Sequence, residues 1–315
     1  MPKNPLPQFV APMQASLAKE SFDSPDWIFE TKMDGYRAIA VIDESGKARI
    51  WSRNHLPLEQ KFPTIQTAVT QIKLRSTILD GEIVALDEDG IPRFQLLQQW
   101  QKRSTAPVVY FLFDLLWSDG RDITGKTVLR RRERLLEIVP AVPGIQVGGY
   151  VENRGKDLFQ LAKKKGLEGI IAKRKSSTYR PGKRSPDWLK IKSRPQQEFV
   201  VCGFTEGKGS RSKHFGALLL AAYRDGRLRY FGHSGSGFSE KGLQETIARL
   251  KPLFIDKPPV ENPPKIPDRI QWVEPKLVCE VAFAEWTQDE ELRQTTFLGW
   301  RDDKSPEDIA LELQE

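Results

Sequence analysis

The sequence predicts an α+β fold in two domains, residues 1–195 and 196–315. Strand-like runs outnumber helical ones, and 315 residues exceed one small domain but suit two. The strand pattern also restarts after Arg194-Pro195-Gln196. The second part, about 120 residues of short strands with one helix, suits a small OB-type β-barrel, and an SH3-like barrel fits nearly as well.

In the first domain, runs rich in β-branched and aromatic residues predict the strands, and apolar residues at helical spacing predict the helices. The helix at 128–139 is expected to bury Leu129, Leu135, Leu136 and Val139 and to expose a basic face. Glu44 to Lys47 reads as a hairpin turn. The predicted strands are 27–31, 36–43, 48–53, 77–87, 108–117, 169–174 and 188–192, and the helices are 65–72, 128–139 and 158–165.

In the second domain, Asp225-Gly226 predicts a tight turn between two strands. A helix is expected at 240–253, followed by a proline-rich stretch. The predicted strands are 199–204, 215–223, 227–233, 277–287 and 292–300.

Composition narrows the function classes. No apolar run is long enough for a transmembrane helix, so no membrane role is expected. Cys202 and Cys279 lie in apolar runs without metal-ligand spacing, which predicts buried thiols in a reducing cytoplasm. The net charge of +7 favours a polyanionic partner such as nucleic acid. Basic residues concentrate at 163–165, 173–175, 183–194 and 208–213, so we expect the loops 173–184 and 205–213 to contact a nucleic-acid backbone.

The hexapeptide Lys32-Met33-Asp34-Gly35-Tyr36-Arg37 is the most informative motif. A lysine whose pKa is lowered by neighbouring cations can act as a nucleophile on an activated phosphate. Most Lys-Asp-Gly strings are instead surface hairpin turns. The other motifs of the chain decide between a nucleophilic lysine and a surface hairpin turn.

Further motifs follow the hexapeptide along the chain. They are Ser52-Arg53-Asn54, Asp80-Gly81-Glu82, 111–116, Glu168 to Lys173, Trp188 to Lys192, 205–211, 280–286 and Arg301 to Lys304. With these motifs in this order, the chain resembles the covalent nucleotidyltransferases, and among them the ATP-dependent DNA ligases. The resemblance covers nearly the whole chain and is strongest to the ligase module of bacterial end-joining ligases of the ligase D type. It implies an antiparallel-sheet, ATP-grasp-like nucleotidyltransferase domain before the OB-type domain.

The resemblance implies that Lys32 attacks the α-phosphate of ATP and forms a lysyl-AMP intermediate. Arg37 would hold the ribose or the nick phosphate, and Arg53 would bind the 5′-phosphate of the nick through its planar fork. Arg301 and Lys304 of the second domain would orient the leaving pyrophosphate. The ligase D pattern usually has a basic residue where this chain has Leu298, so an extra phosphate contact is not expected there.

Three residues are expected around the purine. Glu30 precedes Lys32 by two positions, so both point to one face of a strand. A carboxylate there accepts a hydrogen bond from the adenine amino group and repels the carbonyl of guanine, which favours ATP over GTP. By resemblance, Phe113 stacks on the purine and Ile171 presses on its other face.

Four further residues are expected at the phosphates. Glu82 and Glu168 would hold a divalent cation, Mg²⁺ or Mn²⁺, with phosphate oxygens completing its ligands. Lys190 and Lys192 alternate with apolar residues and therefore share one strand face. Their charges would grip the α-phosphate and lower the pKa of Lys32. Gly81 is expected to permit close approach of a backbone rather than to form a turn.

The expected partner is nicked or broken duplex DNA, contacted through phosphates without sequence reading, with end-joining repair proteins as possible further partners. We expect a cytoplasmic monomer, either free-standing or excised from a longer protein. Alternative functions are an mRNA-capping guanylyltransferase, an RNA ligase, or a catalytically silent nucleic-acid-binding protein.

Overall fold

The chain divides between Ser193 and Arg194 into two compact units. The structure is a computed structural model that describes residues 5–103, 106–212 and 214–311. Lys213, part of a predicted DNA-contacting loop, lies outside the described residues. Within them, no helix is both long and apolar enough to cross a membrane.

The first unit alternates strands with helices. Helix α2 and the short strands β1, β7, β8 and β9 were not predicted, and most of the predicted elements begin or end within three residues of their observed bounds. In chain order, the elements are β1 (Gln14–Leu17), β2 (Trp27–Thr31), β3 (Tyr36–Ile42), β4 (Ala48–Ser52), α1 (Pro63–Gln71), β5 (Thr77–Ala85), α2 (Phe94–Arg103), β6 (Val108–Ser118), β7 (Arg121–Asp122), α3 (Val128–Ile138), β8 (Ile145–Val147), β9 (Val151–Glu152), α4 (Gly155–Lys164), β10 (Gly169–Arg174) and β11 (Arg184–Lys192).

These strands form two sheets. One has the order β1-β11-β10-β2-β9, and the other has the order β4-β3-β5-β6-β7 with β8 paired to β6. Most pairs are antiparallel, but β1 runs parallel to β11 and β8 runs parallel to β6. The prediction of an antiparallel fold therefore holds only in part, because two short strands return in the same direction as their partners.

Each sheet buries one face under helices. Helix α4 covers the five-stranded sheet, where Ala162 packs in one cluster with Phe29, Ile170 and Ile191. Helices α1, α2 and α3 cover the six-stranded sheet. The opposite faces of the two sheets approach each other through an apolar cluster that includes Ile39, Trp117 and Trp188.

Helix α3 differs from its predicted orientation. Its buried residues are Val128, Arg131, Arg132 and Leu135, whereas Leu136 is 58% exposed. The prediction of a solvent-facing basic surface holds only in part: Arg130 is exposed and Arg134 is partly exposed, but Arg131 and Arg132 pair with buried carboxylates and carbonyls. Ion pairing makes it possible to bury a guanidinium that would otherwise stay in water.

The second unit is dominated by one sheet with the order β14-β13-β12-β16-β15, in which β19 also pairs with β16. Asp225 and Gly226 have φ values of 52° and 76° and form the predicted tight turn between β13 and β14. Cys202 and Cys279 are buried free thiols, as predicted. The elements are β12 (Gln196–Glu206), β13 (Phe215–Arg224), β14 (Arg227–Ser234), α5 (Glu240–Leu250), β15 (Phe254–Ile255), β16 (Ile270–Ala282), β17 (Glu285–Trp286), β18 (Leu292–Arg293) and β19 (Thr296–Trp300).

Two glycines allow the strands around the site to lie close together. A Cβ atom on Gly81, inside continuous strand β5, would lie 2.3 Å from the Phe111 carbonyl oxygen, so the predicted close approach is confirmed. A Cβ atom on Gly169 would lie 2.0 Å from the Ile191 carbonyl oxygen. The φ of Gly169 is +147°, a conformation that L side chains rarely adopt.

We expect Gly169→Ala to destabilise the first unit by about 2 kcal/mol or more, because it combines backbone strain with a steric clash. Hydrogen exchange of the β10 and β11 amides measures the loss. Gly125→Ala is the matched control, since Gly125 has no heavy atom within 4 Å of a built Cβ. Equal protection in both variants would refute the assigned role of Gly169.

Candidate nucleotidyl-transfer site

Lys32 lies on the four-residue segment that carries the chain from one sheet to the other. Strand β2 belongs to the five-stranded sheet and β3 to the six-stranded sheet, so Lys32 to Gly35 is a crossover. The hairpin-turn alternative is therefore wrong. The Lys32 backbone N–H donates to the Gly169 carbonyl at 3.0 Å, which ties the crossover to β10.

The Lys32 ammonium forms an ion pair with the Glu168 carboxylate, and 22% of the lysine side chain is exposed. Burial alone would lower the pKa of Lys32, but the charge and hydrogen bond of Glu168 raise it above its ordinary value. Glu82 and Asp34 add to this increase. The predicted lowering of the pKa by Lys190 and Lys192 is wrong, because these carboxylates outweigh it.

Glu30 is buried, and each of its oxygens faces a cation. Arg132 Nη1 donates to Oε1 at 2.7 Å, and Lys173 Nζ lies 2.8 Å from Oε2. Burial lowers the pKa of Lys173, although Glu30 opposes the shift. Lys173 is only 1% exposed, so the expectation that it contacts a DNA backbone is wrong. In register, Ile171 stands opposite both Glu30 and Lys190, so the three residues share one sheet face.

A pocket of about 320 Å³ opens between β2, β6 and the segment 148–151. Glu30 and Phe113 both line it, which brings together two of the residues predicted to bind the purine. Ile171 is not part of this lining, although it neighbours Glu30. The wall is completed by Phe29, Thr31, Met33, Phe111, Gln146, Gly148, Gly149, Tyr150, Val151 and Leu158.

Arg37 is held by a fully buried carboxylate. Its Nε and Nη2 donate to the two oxygens of Asp80 at 2.6 and 2.7 Å, and Asp80 also accepts from the Tyr179 hydroxyl at 2.7 Å. Although burial would lower the pKa of Arg37, Asp80 raises it. The guanidinium carbon lies 4.5 Å from the centroid of the Phe113 ring. Arg37 therefore borders both the crossover and a wall of the pocket.

The remaining predicted residues of the first unit lie on neighbouring strands. Glu82 is opposite Arg37 in register, and Lys192 is opposite Gly169. Arg53 is half-buried in the turn after β4, where Ser52 closes the loop through hydrogen bonds with His55 and Leu56. The structure thus brings the Lys32–Glu168 pair together directly and places Glu82, Lys190 and Lys192 on the strands that support it.

Arg301 and Lys304 belong to the second unit, where carboxylates hold both. Arg301 is 7% exposed and donates to both oxygens of Asp303, at 2.9 and 2.8 Å, and to Glu280 at 3.1 Å. Lys304 Nζ lies 3.4 Å from Glu198. Burial would lower the pKa of Arg301, but Asp303 and Glu280 raise it. The motif is therefore a buried ion-pair network rather than an exposed charge run.

The predicted basic loops carry several internal contacts. Arg184 Nη1 donates to the Ala15 carbonyl at 2.7 Å, and Arg211 Nη1 donates to the Gly235 carbonyl. Lys208 forms an ion pair with Asp268 but stays 78% exposed. Of these residues, Lys208 best retains the accessibility that a contact with a phosphate backbone requires.

Sequence reasoning missed Asp80, Arg132, Lys173 and Tyr179 as structural partners of the site. A signal existed for Arg132. Together with Arg131, it shares one helix face with Val128 and Leu135 at spacings of three and four residues, yet only the apolar residues were counted. The pairing of Asp80 with Tyr179 joins residues 99 positions apart and left no local signal.

Two carboxylates, Glu82 and Glu168, raise the pKa of Lys32, so both lie within electrostatic reach of its ammonium group. Among the described residues, no group of three or more His, Cys, Asp or Glu side chains is arranged as a metal site. Two carboxylates that share a neighbourhood provide the oxygen donors that Mg²⁺ uses when phosphate oxygens and water complete its ligands.

We expect Glu168→Gln to lower the pKa of Lys32, because it removes the principal charge that raises it. The measurement is pulsed acylation of Lys32 across a pH series, read by peptide mass spectrometry, since only the neutral amine reacts. The pH of half-maximal labelling should fall in this variant and fall less in Glu82→Gln, the matched control. An unchanged pH in Glu168→Gln would contradict the assigned ion pair.

The chain matches two known families and several known proteins over most of its length. The family described as ATP dependent DNA ligase domain matches residues 7–192, and the one described as ATP dependent DNA ligase C terminal region matches residues 211–304. The multifunctional non-homologous end joining protein LigD of Pseudomonas aeruginosa is 38% identical over 98% of this chain, as is that of Mycolicibacterium smegmatis. The matches cover 37% and 41% of those two relatives, so the chain spans about two fifths of their length.

A solved structure of mycobacterial DNA ligase D complexed with ATP and MES matches 96% of this chain and 98% of its own, with 32% identity and a TM-score of 0.69. The ligase domain of M. tuberculosis LigD matches the same shares with 34% identity and a TM-score of 0.53. Sequence and fold thus agree over both units. The chain belongs to the ATP-dependent DNA ligase family.

Proposed function

We propose that this protein seals 5′-phosphate/3′-hydroxyl nicks in DNA through a lysyl-AMP intermediate on Lys32. The observation that carries the proposal is the position of the Lys32 amine. It is paired with Glu168 and belongs to the crossover, and the next residue of the crossover, Met33, lines the pocket. The mycobacterial relative solved with ATP supports ATP as the nucleotide. The pocket volume of about 320 Å³ lies at the small end of the range for ligand sites.

In this proposal the purine enters the pocket and stacks on Phe113, while Glu30 accepts a hydrogen bond from the adenine amino group. Stacking supplies affinity for any purine, so the carboxylate provides the selectivity. Ile171, next to Glu30 on the sheet face, would complete the contact with the base.

The reaction would run in three steps. Lys32 attacks the α-phosphate and pyrophosphate leaves; AMP then passes from the lysine to a 5′-phosphate, which breaks the bond to the amine; finally the 3′-hydroxyl attacks that 5′-phosphate and AMP leaves. Lys32 must first leave Glu168 and lose its proton, because a protonated amine has no lone pair. Lys190 and Lys192 would hold the α-phosphate, Arg37 the ribose or the nick phosphate, and Arg53 the 5′-phosphate.

Glu82 and Glu168 fit a divalent cation, Mg²⁺ or Mn²⁺, because both are carboxylates within reach of the same ammonium. When bound, the cation would neutralise negative charge on the phosphates. Glu82 and Glu168 would be the residues that hold it, and Glu168 is also the group whose charge keeps Lys32 protonated.

In the second unit, an antiparallel sheet interrupted by register shifts and accompanied by one helix supports our assignment of an OB-fold. Arg301 and Lys304 would orient the leaving pyrophosphate. To do so they must leave the carboxylates of Asp303, Glu280 and Glu198, which makes their engagement dependent on a rearrangement.

We propose broken or nicked duplex DNA as the substrate and end joining as the process, on the basis of the relatives named for non-homologous end joining. Exposed basic residues such as Lys208 would contact the phosphate backbone without reading sequence. The buried free thiols support a reducing, cytosolic compartment, and a monomer remains our prediction.

We expect Lys32→Ala to abolish formation of the protein adenylate, because no other amine replaces the one on the crossover. The protein is incubated with a divalent metal and α-labelled ATP or GTP, and the label is located by peptide mass spectrometry. Lys163→Ala, an exposed lysine of α4, is the control with the same charge change and should label like the wild type.

The same assay separates the rival functions. Labelling by GTP alone would indicate a capping guanylyltransferase, and no acid-labile adenylate would indicate a silent binding protein. Sealing of nicked RNA but not nicked DNA would indicate an RNA ligase. A Lys32→Ala variant that still forms the adenylate would refute the nucleophile.

A further inference from the structure

We propose that Arg132 is the positioning residue that sets the purine selectivity of the pocket, by fixing Glu30 and two carbonyls of the pocket wall at once. The inference rests on the proposed function, in which this pocket takes the base of ATP. Arg132 lies on helix α3, outside the sequence motifs given above, and the inference gives it a defined role in nucleotide selectivity.

The contacts of Arg132 reach three sides of the pocket. Its Nη1 donates to Glu30 Oε1 on β2 at 2.7 Å and to the Phe113 carbonyl on β6 at 2.9 Å. Its Nη2 donates to the Gly148 carbonyl in the segment before β9. Glu30, Phe113 and Gly148 all line the pocket, so one guanidinium links the carboxylate, the stacking residue and the opposing loop.

The environment of Arg132 makes these contacts rigid. The side chain is 2% exposed, and its guanidinium carbon lies 5.0 Å from the ring centroid of Tyr150, another residue of the wall. A planar fork with fixed donor directions holds several acceptors in one geometry, which a lysine ammonium on a flexible stem does not do. Lys173 holds the second oxygen of Glu30, so the carboxylate is fixed at both ends.

Selectivity follows from the orientation of that carboxylate. An ionised carboxylate only accepts hydrogen bonds, so it attracts the adenine amino group and repels a carbonyl at the same place. The discrimination depends on holding the oxygens in line with the base edge. If Arg132 is replaced, Oε1 loses its partner, the carboxylate turns about its last torsion, and the Phe113 and Gly148 backbone loses a common support.

Arg131 provides a matched control. It is the preceding residue of the same helix, it is fully buried, and it donates to both oxygens of Asp114 at 2.7 and 2.9 Å. Asp114 is not part of the pocket lining. Arg131→Lys therefore reports the general consequence of replacing a buried arginine in α3, whereas Arg132→Lys adds the specific effect on the pocket.

The experiment measures single-turnover formation of the protein adenylate with ATP, with GTP and with purine riboside triphosphate, which lacks the amino group. Wild-type protein is assayed first: if ATP gives no adenylate, the proposed function fails before Arg132 is tested. Thermal unfolding of each variant gives its folded fraction, and the rates are corrected for it.

For Arg132→Lys we expect the nucleotide concentration at half-maximal rate to rise about tenfold for ATP, with the saturating rate changed less than about threefold. The preference for ATP over GTP should fall about tenfold. Purine riboside triphosphate should respond less, because it makes no bond to Glu30. Combining Arg132→Lys with Glu30→Gln should add little to the loss of preference, because both act through one contact.

Arg131→Lys should leave the ATP-to-GTP preference unchanged. The inference is overturned if Arg132→Lys keeps the wild-type preference, if Arg131→Lys loses it to the same extent, or if the effects of Arg132→Lys and Glu30→Gln on preference are fully additive.

Discussion

Compensation of buried charge between the two sheets of the first unit is the constraint on which the rest of the site depends. Lys32 pairs with Glu168, Glu30 with Arg132 and Lys173, and Arg37 with Asp80. An unpaired charge in such a place is strongly unfavourable. Removing one partner of a buried ion pair therefore destabilises a fold more than replacing both partners by apolar residues. Each of these side chains is therefore held in position by its ion pair.

This arrangement has a consequence for reactivity. Glu168 keeps the Lys32 amine charged, so the reaction that we propose would require Lys32 to leave this carboxylate and lose its proton. The same logic applies to Arg301 in the second unit, which is held by Asp303 and Glu280. In both units the cations that would act on phosphate are held in ion pairs, and a bound phosphate would compete with their carboxylate partners.

Much of the fold was predictable from local pattern. Alternation and β-branched runs predicted strands such as β3, β5 and β6, and the ordered motifs predicted the family, whereas the roles of Lys32 and its companions stay predictions. Helix α2 was missed. The buried face of α3 was assigned incorrectly, because a search for apolar periodicity treats every arginine as solvent-exposed. Burial of Arg131 and Arg132 depends on acceptors far away in sequence; Glu30 lies 102 positions from Arg132.

The membership of the candidate site stays a prediction, and the ion pairs among its residues were not predicted. Position in a strand correctly placed Glu30 beside the crossover, and Lys190 and Lys192 on the supporting strand. The predicted direction of the Lys32 pKa shift was wrong. The prediction considered the lysines of the motifs but not the carboxylates, above all Glu168, that the fold brings close to the ammonium group. Lys173 was grouped with exposed basic residues, although its strand position directs it to Glu30.

The most direct test of this account is an experimental structure of the protein with a non-hydrolysable ATP analogue and Mg²⁺. The account predicts that the base lies between Phe113 and Ile171 with its amino group on Glu30, that Arg132 keeps its three contacts, and that Lys32 has left Glu168 and faces the α-phosphorus. A base bound elsewhere, or a Lys32–Glu168 pair that persists beside the bound α-phosphate, would contradict it.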